Sequence, residues 1–235
     1  MSIFNFKQFK ISHAESFKVG TDGVLLGCWV DIDDDIKVLD VGTGSGLIAL
    51  IIAQRSSTDC IIDGVEVDHD AYREATANIK NSPWSNRVKV FHSDFQSFEK
   101  EKLYDHIVSN PPYFINSTKS GQVKKDNARH TDSLSFEDLI ITAKKLLAPE
   151  GKLSVILPTI EALMFVDLAK SEGFELIRRT KVKTRTEKNV ERHLMTFTQA
   201  THFALLEDDL VIQKGGRNVY TDEYIALTKA FYTIL

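Results

Sequence analysis

Val38-Leu39-Asp40-Val41-Gly42-Thr43-Gly44-Ser45-Gly46 runs an apolar stretch straight into a glycine-rich turn, and the apolar segment 47–55 follows at once. The pattern predicts a buried strand over 37–41, a tight turn over 42–46 and a helix over 47–55. In an open parallel sheet such a turn lies at the carboxyl end of a strand, where ligands bind. Glycines let the backbone approach a ligand closely, and the start of the helix beyond them offers free N–H groups. A dinucleotide-binding turn spaces its glycines GxGxxG; here the third glycine arrives one residue early and Leu47 stands in its place. A nicotinamide oxidoreductase is therefore disfavoured, and no Tyr-Lys or His catalytic pair argues for one.

Outward from this unit the chain alternates. Strands are expected over 60–67, 88–92, 104–109 and 152–157, and helices over 70–81, 136–147 and 160–172. That alternation predicts a mostly parallel sheet. After Gly173 the style changes: 174–183 and 193–205 read as two strands joined by a charged loop, an antiparallel hairpin at the sheet edge. Before Asp33 an N-terminal cap is expected, with a short helix over 22–29. The whole of 1–235 reads as one domain, with a cap at 1–32, a core at 33–172, and a C-terminal hairpin and final helix at 173–235.

Composition sets the boundaries of function. The 235 residues are 43% hydrophobic and 26% charged, ordinary for a globular protein. No run of about 18 apolar residues and no signal-peptide core is present, so a cytoplasmic location is the default expectation. Cys28 and Cys60 lie in apolar stretches without CxxC spacing, which predicts buried free thiols and no metal site. The net charge of −4 argues against nonspecific coating of nucleic acid. Basic residues nonetheless cluster, with Arg178, Arg179, Lys181, Lys183, Arg185, Lys188 and Arg192 in one run and Lys119, Lys124, Lys125 and Arg129 in another.

Polar residues fall at successive strand ends. Glu66 closes the second strand, where a carboxylate can accept both hydroxyls of a ribose. Asp94 closes the third, where it could take the amine of an adenine while Phe95 packs on the ring. Next comes Ser109-Asn110-Pro111-Pro112-Tyr113, directly after the fourth strand. A proline-rich turn explains the prolines but not Asn110 and Tyr113 on either side. The lone pair of an exocyclic or amide nitrogen is delocalised into a π system, so transfer of a methyl to it needs acceptors that hold its N–H bonds. The Asn110 side-chain oxygen and the Pro111 carbonyl can each accept one hydrogen, and Tyr113 can stack on the planar acceptor.

Taken together, these motifs resemble the class I S-adenosylmethionine-dependent methyltransferases, and Asn-Pro-Pro-Tyr resembles their N-methylating branch. The resemblance implies an α/β, Rossmann-like doubly wound fold with a mostly parallel seven-stranded sheet and an antiparallel C-terminal hairpin. It also implies S-adenosylmethionine as cofactor: Asp40 would help hold its methionine amine, Gly42, Gly44 and Gly46 would give it room, and Glu66, Asp94 and Phe95 would bind its ribose and adenine. Asn110, Pro111, Pro112 and Tyr113 would hold the target nitrogen. The segments Lys18-Val19-Gly20-Thr21-Asp22-Gly23-Val24-Leu25-Leu26-Gly27-Cys28-Trp29 and Phe4-Asn5-Phe6-Lys7-Gln8-Phe9 are similar to those of the bacterial valine-tRNA adenine-N6 methyltransferases, which modify adenine 37 beside the anticodon. By that resemblance Thr21 and Asp22 sit near the cofactor, and Phe114 and the Arg129-His130-Thr131 segment belong to the substrate side. A helix cap explains Thr21 and Asp22 equally well.

For a tRNA substrate, phosphate contacts are expected from 119–129 and 178–192, with Lys124, Lys125, Arg129, Lys183, Arg185 and Arg192 as the individual candidates. A monomer without metal or membrane association is expected. The alternatives are methylation of guanine N2 in rRNA or of a protein glutamine, for which a duplicated or extra N-terminal domain is wanting, and a noncatalytic binding module, which has no need of Asn110 and its neighbours.

Overall fold

The computed structural model describes residues 2–13, 19–32, 37–99, 103–112, 134–201, 203–216 and 218–233. Tyr113, Phe114, Lys124, Lys125 and Arg129 lie outside the described residues. In chain order the elements are β1 (Ser2–Asn5), β2 (Lys10–His13), α1 (Thr21–Trp29), β3 (Lys37–Val41), α2 (Leu47–Arg55), β4 (Ile61–Glu66), α3 (His69–Lys80), β5 (Val88–His92) and β6 (Tyr104–Ser109). They continue with α4 (Phe136–Leu146), β7 (Leu147–Pro158), α5 (Thr159–Ser171), β8 (Glu175–Arg185), β9 (Arg192–Thr198), β10 (Leu206–Gln213) and α6 (Asp222–Thr228).

The central sheet has the order β10-β8-β9-β7-β6-β3-β4-β5. From β7 to β5 it is parallel, because each strand returns through a crossover segment. One apolar cluster, with Leu25, Leu50 and Ile62, packs α1 and α2 on one face, and a second, with Leu139, Phe165 and Phe197, packs α4 and α5 on the other. β3 pairs with β4 on one side and β6 on the other, so the strand order reverses there. A ligand crevice opens at such a reversal, outside the carboxyl ends of the strands.

Local sequence explains the helix boundaries. Asp68 caps α3 by accepting from the N–H groups of Asp70 and Ala71, and Ser135 caps α4 by accepting from Asp138. α1 lies against α2 in close approach: a Cβ at Gly23 would sit 3.2 Å from Leu47, and one at Gly27 would sit 2.9 Å from Ile51 Cγ2. The two contacts share one offset in sequence, so the helices run side by side in the same direction, and both amino ends meet the same edge of the sheet.

The carboxyl end of the chain departs from expectation. The hairpin is present, since β8 and β9 pair antiparallel, but β9 ends at Thr198. Leu206–Gln213 forms an eighth strand, parallel to β8, where seven strands are expected from sequence. Its Leu-Glu-Asp-Asp start lacks apolar alternation; it is held by backbone pairing to β8, by Leu210 buried in the core, and by acids set beside cations, with Glu207 pairing with Arg179 and Lys181 and Asp209 4.0 Å from Lys183. At the amino end β1 and β2 form a separate two-stranded hairpin, tied to the C-terminal segment by a Phe6↔Tyr232 bridge and by Lys7 Nζ donating to the Lys229 carbonyl at 2.6 Å.

Candidate active site

The turn after β3 is built on three left-handed glycines, with φ of +68° at Gly42, +55° at Gly44 and +82° at Gly46. Side chains rarely adopt that backbone, and a Cβ at Gly42 would meet nothing within 4 Å, so the open space beside it faces no packed neighbour. Gly42 and Thr43 both donate to the Val65 carbonyl, at 3.0 and 3.2 Å, which lashes the turn to β4. Asp40 anchors it from beneath: Oδ2 accepts from Thr43 Oγ1 at 2.6 Å and from the Ala49 N–H at 3.1 Å. Burial raises the Asp40 carboxyl to about 7, and its Oδ1 has no hydrogen-bond partner among the described residues.

Glu66 completes the turn. Its Oε2 accepts the Gly44 N–H at 2.9 Å and its Oε1 accepts the Asp68 N–H at 2.9 Å, leaving each oxygen a further lone pair toward the crevice. Asp94 is exposed after β5, with Oδ1 accepting from the Gln96 N–H at 3.2 Å, and Phe95 is buried beside it. On the other flank Ser109 Oγ donates to the Val41 carbonyl at 2.9 Å, joining the ends of β6 and β3. Asn110 follows, and its side-chain oxygen is sealed from solvent without a partner among the described residues. A buried acceptor left empty costs about 1–3 kcal/mol, so such an atom calls for an explanation, and a donor brought by a ligand is one.

These groups converge. Gly42, Gly44, Glu66, Asp94, Phe95, Asn110, Pro111 and Pro112 line one cavity of about 290 Å3 at the strand-order reversal. Glycine backbone, a strand-end carboxylate and an apolar ring on one side, with an orphaned acceptor opposite, fit a nucleoside-bearing cofactor beside a planar nitrogen substrate. Asp40 does not line this cavity; its visible work is holding the turn. Thr21 and Asp22 line a different cavity, of about 520 Å3, and Asp22 accepts from Arg192 Nε at 2.8 Å.

The basic run is largely consumed within the fold. Arg178 stacks 4.2 Å over the Trp29 ring, Arg179 and Lys181 pair with Glu207, Lys183 with Asp209, and Arg192 with Asp22. Of that run Arg178, Arg185 and Lys188 form no ion pair among the described residues, and Arg185 Nε donates to the Gln213 side chain at 3.5 Å. The sequence places acid and cation far apart in the chain, and strand pairing brings them together. Sequence reading passed over Thr43 and Ser109, whose hydroxyls fix the turn and the strand ends; their position between and beside motif residues is the one signal they give. Cys28 and Cys60 are free and buried, and burial pushes the Cys28 thiol up to about 12. Among the described residues no group of three or more His, Cys, Asp or Glu could hold a metal ion, and no helix is long and apolar enough to cross a membrane.

Comparison with known proteins fits this geometry. The model of the methyltransferase small domain family matches residues 23–166. A tRNA1(Val) (adenine(37)-N6)-methyltransferase of Pseudoalteromonas translucida is 43% identical over 99% of this chain and 99% of its own length. One from Flavobacterium psychrophilum is 44% identical over 98% of this chain and 99% of its own length. Among solved structures, a predicted O-methyltransferase from Agrobacterium tumefaciens superposes with a TM-score of 0.72 at 21% identity, over 89% of this chain and 96% of its own, which speaks to the shared fold.

Proposed function

Because the chain belongs to the tRNA1(Val) (adenine(37)-N6)-methyltransferase family, matching its members nearly end to end, we propose that it methylates N6 of adenine 37 in the anticodon loop of a valine tRNA. S-adenosylmethionine is the cofactor of this family and fold. When bound, it supplies an electrophilic methyl group on a sulfonium sulfur. The observation that carries the reading is the buried Asn110 oxygen, without a partner among the described residues, in the same cavity as the Glu66 carboxylate and the glycine turn.

The side chains then divide the work. Glu66 accepts the ribose hydroxyls, Asp94 accepts from the adenine amine of the cofactor, and Phe95 packs on that ring. Asp40 keeps the turn in place through Thr43 and Ala49, which positions Gly42 and Gly44 without touching the reacting atoms. The target base must leave its stack, and an anticodon loop holds unpaired bases for which that costs little. Asn110 Oδ1 and the Pro111 carbonyl each accept one N6 hydrogen, which turns the nitrogen lone pair out of the ring π system and toward the methyl group. A cofactor held there would supply the methyl as its S–C bond breaks, leaving as S-adenosylhomocysteine, and since the nitrogen becomes acidic only once the N–C bond forms, the released N6 proton would pass to solvent without prior deprotonation by a strong base. The protein acts as a monomer in the cytoplasm, where its tRNA is found.

A direct test is to incubate the protein with methyl-labelled cofactor and total tRNA, digest, and identify the labelled nucleoside by mass spectrometry. N6-methyladenosine confined to valine tRNA is expected. Label in N2-methylguanosine, or in protein glutamine when release factors are supplied, would overturn the reading.

A further inference from the structure

The second cavity, of about 520 Å3, has no part in the chemistry above, yet it opens on the same edge of the sheet. Arg192 at the start of β9 lies opposite Pro158 at the carboxyl end of β7 and opposite Val182 of β8, and three residues beyond Val182, Arg185 pairs with Gln213 of β10. β9 stands two strand spacings from β6, about 10 Å, so this cavity lies within reach of a nucleotide next to the one held at Asn110. Its wall is aromatic: the Tyr220 ring stacks on Tyr224, with centroids 5.1 Å apart and planes 27° apart, and Tyr232 stands edge-on to Phe4. Tyr220 is half-buried, so a flat ring entering the cavity would extend the Tyr224–Tyr220 stack. Thr184, Gln213 and Glu191 border the same space and offer donors and acceptors to the edge of such a ring, Glu191 already accepting from Thr184 Oγ1 at 2.8 Å. Burial raises the Tyr224 and Tyr232 phenols, so they remain neutral donors at neutral pH. Arg185 borders the cavity through Gln213, its Nε donating to that side chain at 3.5 Å.

We infer that this cavity receives an unpaired base flanking the target adenine in the same RNA, stacked on Tyr220, with Arg185 on the phosphate beside it. The inference rests on the RNA-methylating reading. A volume suited to a nucleoside, stackable tyrosines and a guanidinium beside Gln213 describe a nucleotide subsite better than a purely apolar or purely electrostatic one.

The test uses the full chain and a synthetic anticodon stem-loop. Tyr220→Ala should raise the KM for the stem-loop by about five- to a hundredfold, the range of one lost base stack, while Tyr220→Phe stays near wild type. An abasic site at one loop nucleotide beside the target should reproduce that rise in the wild type and add nothing in Tyr220→Ala. Should Tyr220→Ala fail to fold, Thr184→Trp fills the cavity from another wall and should give the same rise with unchanged affinity for S-adenosylhomocysteine. An unchanged KM in both variants, or a KM penalty fully additive with every abasic site, overturns the inference. So does a Thr184→Trp variant that loses cofactor affinity and keeps its KM for RNA, since the cavity would then serve the cofactor. Failure of the underlying reading is separate: the wild type would then form no N6-methyladenosine on any stem-loop.

Discussion

Glu66→Gln is the most informative single change to the cofactor side. The carboxylate is 8% exposed and holds two backbone N–H groups at 2.9 Å, one on each oxygen. Glutamine keeps one acceptor and turns the other into an NH2 that faces an N–H. Hydrogen bonds to a charged group contribute about 1.5–3 kcal/mol and neutral ones about 0.5–1.5, so one bond lost and one weakened cost about 2–4 kcal/mol. For a chain of this size that lowers the melting temperature by about 5–15 °C. The ribose hydroxyls lose the same charge, and about 1.4–2.8 kcal/mol there weakens cofactor binding roughly ten- to a hundredfold. Thermal unfolding by circular dichroism and calorimetry with S-adenosylhomocysteine read the two effects separately. A fall in melting temperature with normal affinity would remove Glu66 from the ribose and leave it a loop anchor. If neither quantity moves, the hydrogen-bond reasoning for the turn fails.

Gly27→Ala should destabilise the fold by about 1–3 kcal/mol in urea, despite the better helix propensity of alanine, because the new methyl falls 2.9 Å from Ile51 Cγ2 and 3.0 Å from its Cβ; a more stable variant would contradict the close α1–α2 contact. Asp40 gives a pH prediction. Its folded pKa of about 7 lies above the unfolded value of about 3.9, so the fold favours the neutral carboxyl, a contribution fully present below about pH 4 and lost as pH rises through about 7. The stability of wild type relative to Asp40→Asn should therefore fall between about pH 4 and 8, and a flat or rising difference would mean that the carboxylate is stabilised by a partner.

Much of this was legible in the sequence because local rules and tertiary structure agree there. The β3 turn, the crossover helices and the polar strand ends follow from periodicity and glycine placement, and the structure brings Glu66, Asp94, Phe95 and Asn110 to one cavity. Where reading stopped short, the cause was long-range pairing. β10 pairs with β8 and sets its acids beside the cations there, a relation of residues 28 apart in Arg179 and Glu207 that no local window contains. That pairing removes Lys183 from the free charge that the sequence offers, and Asp22 of α1 removes Arg192, while Arg185 pairs with no acid among the described residues. The Tyr220–Tyr224 stack gave no motif at all, because its cavity is assembled from segments scattered from Phe4 to Tyr232.

The central claim is that the Asn110 oxygen grips the N6 amine while methyl transfer occurs. Single-turnover methylation of valine tRNA by Asn110→Ala, with cofactor affinity measured in parallel, addresses it most directly. Losing one preorganised acceptor should slow the chemical step at least about a hundredfold and leave S-adenosylhomocysteine affinity within a few-fold. A rate within a few-fold of wild type would contradict the account.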